Sequence, residues 1–336
     1  MQIWRNPEEI PHEFGETVVT VGIFDGMHKG HRAVLGAAVK LARETGRKSV
    51  ALTFDPHPQL VHHPDSNLKL VTSLSDRLSR LEAAGVDAVY VQHYNLEYAQ
   101  ASPAEFIEQQ LVGQLKAKAV VVGEDVRFGK DNAGDGAYLI SKGAELGVSV
   151  VLVSDLCDER GRRWSSTWIR DLLAQGDVAQ AAQILGRYHR IRGVVQHGFK
   201  RGRELGFPTA NLSGDELGEV PADGVYAGWL VTSVPGAAAT VHLPAAISIG
   251  TNPQFAGEQR TVEAHVLGRS DLDLYGQEIA LDFVEFLRPM LTFSSLDELL
   301  DQMDEDLRNC AQVLGVPVAH RLEPGAVTVG TVLSSD

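Results

Sequence analysis

The stretch TVGIFDGMHKGHRAVLG, residues 20–36, changes character in mid-course. Its first residues continue an apolar run, Thr17 to Phe24, that predicts a strand. From Arg32 to Thr45 the apolar positions recur at helical spacing, and Gly46 ends them. Between strand and helix stand Gly22, Gly26 and Gly30, with His28 and His31 three apart. A glycine-rich turn into a helix N-terminus leaves backbone N–H groups free, and the helix dipole favours an anion there. Two imidazoles facing that anion can stabilise charge that develops during group transfer. No serine or cysteine nucleophile stands beside them, which favours direct attack between bound substrates over a covalent intermediate. The same pair is also compatible with an exposed loop. A zinc site would need a third ligand that is not clearly supplied. The GxGxxG spacing of a dinucleotide fingerprint is absent.

Outward from this stretch, strands and helices alternate. Strands are predicted at 49–54, 88–92, 119–123 and 148–153, and helices at 75–84, 103–115 and 136–146. Ser102 is placed to cap the helix that Pro103 opens. Near-continuous apolar strands separated by helices predict a parallel, Rossmann-like α/β sheet. Two short helical patterns flank Gly176. After about residue 186 the pattern becomes strands separated by turns, at 191–196, 225–231, 245–249, 261–267 and 279–287, which predicts an antiparallel β-barrel or sandwich. A closing helix follows, with Ser295 and Glu298 in capping-box spacing. The expected domains are therefore 1–186 and 187–316, with a tail at 317–336.

The chain has 336 residues and a formal net charge of −14, which argues against a general nucleic-acid footprint. Its two cysteines, Cys157 and Cys310, are too few for a disulfide framework. The N-terminal MQIWRNPEEIP lacks the basic-then-apolar run of a signal peptide, and no apolar run approaches a membrane span. The expectation is a cytoplasmic protein that acts on small molecules, with neither nucleic acid nor membrane as partner. A homo-oligomer is compatible with the chain.

Four ordered segments carry a resemblance: GIFDGMHKGH at 22–31, FDPHP at 54–58, GEDVRFGKDNAGD at 123–135 and SSTWIR at 165–170. The first resembles the phosphate-binding signature of nucleotidyltransferases. Together they are similar to the adenylyltransferase module of bacterial bifunctional riboflavin kinase/FAD synthetases. The resemblance implies that His28 and His31 stabilise the α-phosphate of ATP as pyrophosphate leaves. It implies ATP binding by Gly22, Phe24, Asp25, Gly30 and Arg127. Ser165, Ser166, Thr167 and Arg170 would hold the β- and γ-phosphates, a task that suits hydroxyls at a helix start and a guanidinium. Asp55 and Asp125 fall to the flavin side. Val126 replaces an aromatic often found in the third motif. Taken alone, SST is also an N-cap pattern, and FDPHP a strand end with a rigid turn.

The second rich stretch is KRGRELGFPTANL, residues 200–212. Basic residues among glycines make a phosphate-friendly loop. Beyond Pro208, Thr209 and Asn211 share one face of an extended chain. Their oxygens are hard ligands suited to Mg2+ shared with nucleotide phosphates. In TVEAHVL, residues 261–267, Glu263 sits on a mostly apolar strand, as a general base would. An exposed polar sheet face fits each segment as well. With GVYAG, SIGTNPQF, DLYG and FLRPMLTF in order, these segments resemble riboflavin kinase. The resemblance implies that Gly198, Lys200, Gly202, Arg203, Pro208, Thr209 and Asn211 bind ATP phosphates, with Thr209 and Asn211 as Mg2+ ligands. It implies that Glu263 activates the terminal ribityl hydroxyl of riboflavin. The implied enzyme makes FMN from riboflavin and ATP, then FAD from FMN and a second ATP. The rivals are a transferase whose barrel only binds flavin, and a flavin-binding regulator.

Overall fold

In the first unit the chain runs β1 (Gln2–Trp4), β2 (Thr17–Val21), α1 (Lys29–Glu44), β3 (Lys48–Asp55), α2 (Pro58–His62), α3 (Leu74–Ala83) and β4 (Ala88–His93). It continues through α4 (Pro103–Glu105), a π-helix (Phe106–Gln114), β5 (Ala117–Gly123), α5 (Gly136–Glu145) and β6 (Ser149–Val153). Next come α6 (Ser166–Ala174), whose first residue closes the first unit, and α7 (Val178–Leu185). Then come β7 (His189–Gln196), β8 (Ala210–Leu212), β9 (Gly224–Ser233), β10 (Thr240–Thr251), β11 (Arg260–Val266), β12 (Glu278–Arg288) and α8 (Leu296–Leu314). The computed structural model describes residues 1–196, 206–212, 217–233, 240–251 and 260–321. Gly198, Lys200, Gly202 and Arg203 lie outside them.

The first sheet is parallel, in the order β1-β4-β3-β2-β5-β6. Its central strands are β-branched and buried on both faces. Val18 packs with Ala38 and Ala42 of α1, whereas Val19 faces Leu111 and Leu115 on the other side. Alternate side chains of one strand thus serve two cores. Strand order reverses between β2 and β5, so the crevice at their C-terminal ends is where such a sheet receives a ligand. The loop after β2 opens into it.

The second sheet closes as a barrel, β10-β11-β8-β7-β12-β9, antiparallel throughout. α8 lays Leu307, Cys310 and Ala311 against Phe207, Ala227 and Leu267. Ser295 caps it by accepting the Glu298 amide at 3.2 Å.

Several local expectations change. The helix at 103–115 is α only for its first turn and π beyond Phe106. β2 ends at Val21, and α1 begins at Lys29 rather than near His31. The edge strand β1 and the short β8 were not apparent in the pattern. By contacts the chain forms two compact units, Met1–Ser166 and Thr167–Asp336. α6 packs within the second unit, where the Leu173 carbonyl accepts the Ala222 amide at 2.8 Å. Among the described residues no helix is long and apolar enough to cross a membrane.

Candidate active sites

The loop after β2 is held in a conformation that side chains rarely adopt. Phe24 and Met27 have φ of 54° and 44°, and Gly26 has φ of 75° between them. Each non-glycine residue there costs about 1–3 kcal/mol, so its surroundings must impose the shape. They do so through segment 71–77. The Asp25 carboxylate, buried, accepts the amides of Val71 and Thr72 at 3.1 and 3.0 Å and the Thr72 hydroxyl at 3.2 Å. Thr72 Oγ1 in turn accepts the Gly26 amide at 3.0 Å. The Ile23 carbonyl accepts Arg77 Nη1 at 2.8 Å and Thr53 Oγ1 at 3.1 Å. Ser166 Oγ donates to the Asp25 carbonyl at 2.8 Å.

This cradle delivers the histidines. His28, buried, is the N-cap of α1, and its Nδ1 accepts the His31 amide at 3.3 Å. A neutral His28 therefore carries its proton on Nε2. The two rings stack, with centroids 3.7 Å apart. Burial holds the His31 imidazole well below its usual pKa, and the His28 and Arg163 charges push the same way. His31 is neutral at pH 7 and can donate without a net charge. A Cβ on Gly30 would sit 3.0 Å from the His28 ring, so a side chain there would displace that imidazole.

The other expected residues of this unit are placed as follows. Gly22 donates its amide to the Leu52 carbonyl at 3.0 Å. Phe24 is buried beside His31, and Asp25 is turned inward to Thr72, so their side chains build the loop. Asp55, at the end of β3, lies 3.6 Å from Arg77 Nη2. Asp125, just past β5, pairs closely with Arg163, which also reaches Asp155 at 3.4 Å. Arg127 Nη1 donates to the Val126 carbonyl at 2.8 Å. Ser165 and Ser166 end the first unit. Thr167 and Arg170 begin the second on α6, Thr167 exposed and Arg170 partly so.

In the barrel, β8 lies beside β11 with Asn211 opposite Glu263 and Ala210 opposite Ala264. Thr209 Oγ1 donates to Glu263 Oε2 at 3.2 Å and accepts from Asn211 Nδ2 at 3.2 Å. The residues that sequence spacing singled out are thus one connected cluster. Burial raises the Glu263 carboxyl above its usual range, and the Thr209 hydrogen bond only partly opposes this. A raised carboxyl is a stronger base once it is ionised. A pocket beside the cluster is lined by Pro208, Thr209, Ala264, Val266, Arg269 and Tyr275.

Three side chains escaped the sequence reading. Thr72 and Arg77 shape the first site, and His265 shapes the second. His265 is buried, and its Nδ1 lies 2.8 Å from the Pro208 carbonyl. It thereby fixes the peptide that carries Thr209. The position of His265, two residues past Glu263 on one strand, was the available signal.

Comparison with known proteins agrees with both halves. Residues 10–168 match the FAD synthetase family, and residues 185–314 match the riboflavin kinase family. The bifunctional riboflavin kinase/FMN adenylyltransferase of Listeria monocytogenes is 35% identical over 86% of this chain and 90% of its own. Its namesake in Escherichia coli K12 is 35% identical over 93% of this chain and 96% of its own. A crystal structure described as a macrolide-efflux protein from Streptococcus pneumoniae superposes with a TM-score of 0.80 at 31% identity, covering 90% of this chain and 96% of that one. With relatives of this identity spanning nearly the whole of both sequences, the chain belongs to the bifunctional riboflavin kinase/FMN adenylyltransferase family.

Proposed function

We infer that this chain is an enzyme that phosphorylates riboflavin with ATP to FMN in its barrel, and adenylylates FMN with a second ATP to FAD in its α/β unit. The observation that carries the reading is the Thr209–Glu263–Asn211 cluster in one unit together with the stacked His28–His31 pair in the other. In the barrel Glu263 takes the proton from the terminal ribityl hydroxyl. The freed oxygen attacks the γ-phosphorus, and the bond to ADP breaks. Asn211 on β8 and Thr209 just before it are assigned to the phosphates, with Gly198, Lys200, Gly202, Arg203 and Pro208 assigned to the same ATP. In the α/β unit a phosphate oxygen of FMN attacks the α-phosphorus of ATP, and pyrophosphate leaves. His28 Nε2 and His31 donate to the charge that develops, beside the N–H groups of the Gly30 turn. Ser165, Ser166, Thr167 and Arg170 are assigned to the leaving phosphates, and Asp55 and Asp125 to the flavin side.

The donor set also fits Mg2+. Among the described residues no cluster of three His, Cys, Asp or Glu could cage a metal, but Thr209 and Asn211 offer hard oxygens that would hold the ion jointly with ATP phosphates. Bound there, it would neutralise phosphate charge. We assign adenylylation to residues 1–186, the kinase to 187–316, and a cytoplasmic location. The test is one incubation of purified protein with riboflavin, ATP and Mg2+, resolved by chromatography over time. FMN first and FAD later is the expected course. FMN alone, or FAD only from added FMN, removes one activity. Bound flavin with no product leaves a regulator.

A further inference from the structure

Arg77 is a cation where the core has least use for one. It lies on α3, is 1% exposed, and stands outside the segments that carry the family resemblance. Its Nε and Nη2 have no hydrogen-bond partner, although Nη2 lies 3.6 Å from the Asp55 carboxylate. Desolvation lowers its pKa despite the nearby Asp25 and Asp55. A methionine of similar reach would fill the space without burying a charge that is only partly compensated. The guanidinium does one thing that methionine cannot. Its Nη1 donates to the Ile23 carbonyl at 2.8 Å and to the Phe54 carbonyl at 3.2 Å. Ile23 lies two residues past the end of β2, Phe54 is the next-to-last residue of the adjacent parallel strand β3, and each is followed at once by a segment of the first site. Ile23 leads into Phe24-Asp25-Gly26-Met27-His28, and Phe54 into Asp55-Pro56-His57.

We propose that Arg77 is a positioning residue for adenylyl transfer: it ties the exits of β2 and β3 to one nitrogen and thereby fixes the strained loop that aims His28 and His31. The proposal rests on the assignment of adenylyl transfer to this unit. Without Arg77 the Ile23 carbonyl would keep the Thr53 hydroxyl, but both carbonyls would lose the Nη1 donor they share, and backbone groups that lose a buried partner shift to find another. The loop beyond Ile23 contains Phe24 and Met27 at positive φ, so a shift at its root would relax the strain and turn the imidazoles away. Small misplacement acts on the transfer step more than on binding, because the triphosphate and flavin have contacts elsewhere.

The test compares Arg77→Met and Arg77→Lys in the full chain. For each, kcat and KM are measured for FAD formation from FMN, riboflavin phosphorylation is followed in the same preparation, and a melting curve is recorded. Arg77→Met should lose about 10- to 100-fold in kcat for FAD formation. Its KM for ATP and FMN should stay within about threefold, and its riboflavin phosphorylation should be unchanged. Arg77→Lys keeps the charge and one bond, and should fall between, about fivefold below wild type. Wild-type kcat in Arg77→Met overturns the proposal. So does a loss confined to KM, or one that disappears when the assay is cooled below the variant's melting transition. If Arg77→Met does not fold, wild-type kcat in Arg77→Lys overturns it. Absence of FAD formation in the wild-type chain would instead overturn the assignment of this unit.

Discussion

In the proposed assignment the two sites handle phosphate with opposite electrostatics. In the α/β unit the groups at the anion site are the start of α1 and two stacked imidazoles, one of which burial keeps neutral. In the barrel the central group is a carboxylate, and burial pushes it toward its protonated form. The nucleophiles account for the difference. A phosphate monoester has a second pKa near 6 and attacks as an anion without help. A ribityl hydroxyl must give up a proton as it attacks, so it needs a base. Donors suffice in the first case. In the second a carboxylate is worth its burial, and Thr209 Oγ1 anchors it by donating to Oε2 at 3.2 Å.

The sharpest way to break this comparison is Glu263→Gln, which removes the proposed base and keeps the shape. FMN formation should fall by about 10²- to 10⁴-fold. FAD formation from supplied FMN should continue at the wild-type rate. Both rates are read from one preparation, so a fall in both would mean that the two chemistries are not separate.

His28→Ala is the counterpart and should act somewhat less. It removes one donor to the developing charge, which typically costs about 10²- to 10³-fold in kcat. It also removes the α1 cap, worth about 1 kcal/mol, so the α/β unit should melt slightly earlier. Riboflavin phosphorylation should be unaffected. His28→Asn sharpens the reading, because it restores a cap without restoring the Nε2 donor. Recovery of melting temperature without recovery of FAD formation is the expected result.

Much of both sites was legible because local chemistry announces them. Glycines, a strand end and a helix start mark the His28–His31 turn as a candidate anion site. Pairing of β8 with β11 sets Asn211 opposite Glu263, and Thr209, just before β8, bonds to both. The unread parts depend on contacts distant in sequence. Asp25 looks like a ligand-facing acid within its motif, yet its carboxylate is turned to Val71 and Thr72, 46 and 47 residues on. Arg77 reads as one more polar residue of an amphipathic helix, because Ile23 and Phe54 come to it only in the folded sheet. The π-helix is similar. Its apolar spacing suits an α-helix, but Gln110 is drawn inward to Tyr98 and Gln92, with Nε2 at 2.7 Å from Gln92 Oε1. Three-residue strands such as β1 are too short to show a period of two.

The smallest expected effect separates the units by stability rather than rate. His31 has a folded pKa well below its usual 6.5, so its contribution to stability is complete above pH 6.5 and is lost as pH falls toward the folded value. Glu263 has a folded pKa above 4.5, so its contribution is complete below 4.5 and is lost as pH rises through the folded value. The slopes are opposite in sign. Each activity reports on its own unit, so heating the full chain at stepped pH and assaying both products follows them separately. Between pH 7 and pH 5 the temperature at which FAD formation is lost should drop, and His31→Gln should flatten that dependence. Once ionised, the buried Glu263 weighs against the barrel. Calorimetry of Glu263→Gln should therefore show the barrel melting higher than wild type, with the gap closing as pH approaches 4.5. A variant that lost its kinase and gained no stability would mean that the burial of Glu263 is relieved in the folded chain, and that its basicity has a source other than desolvation.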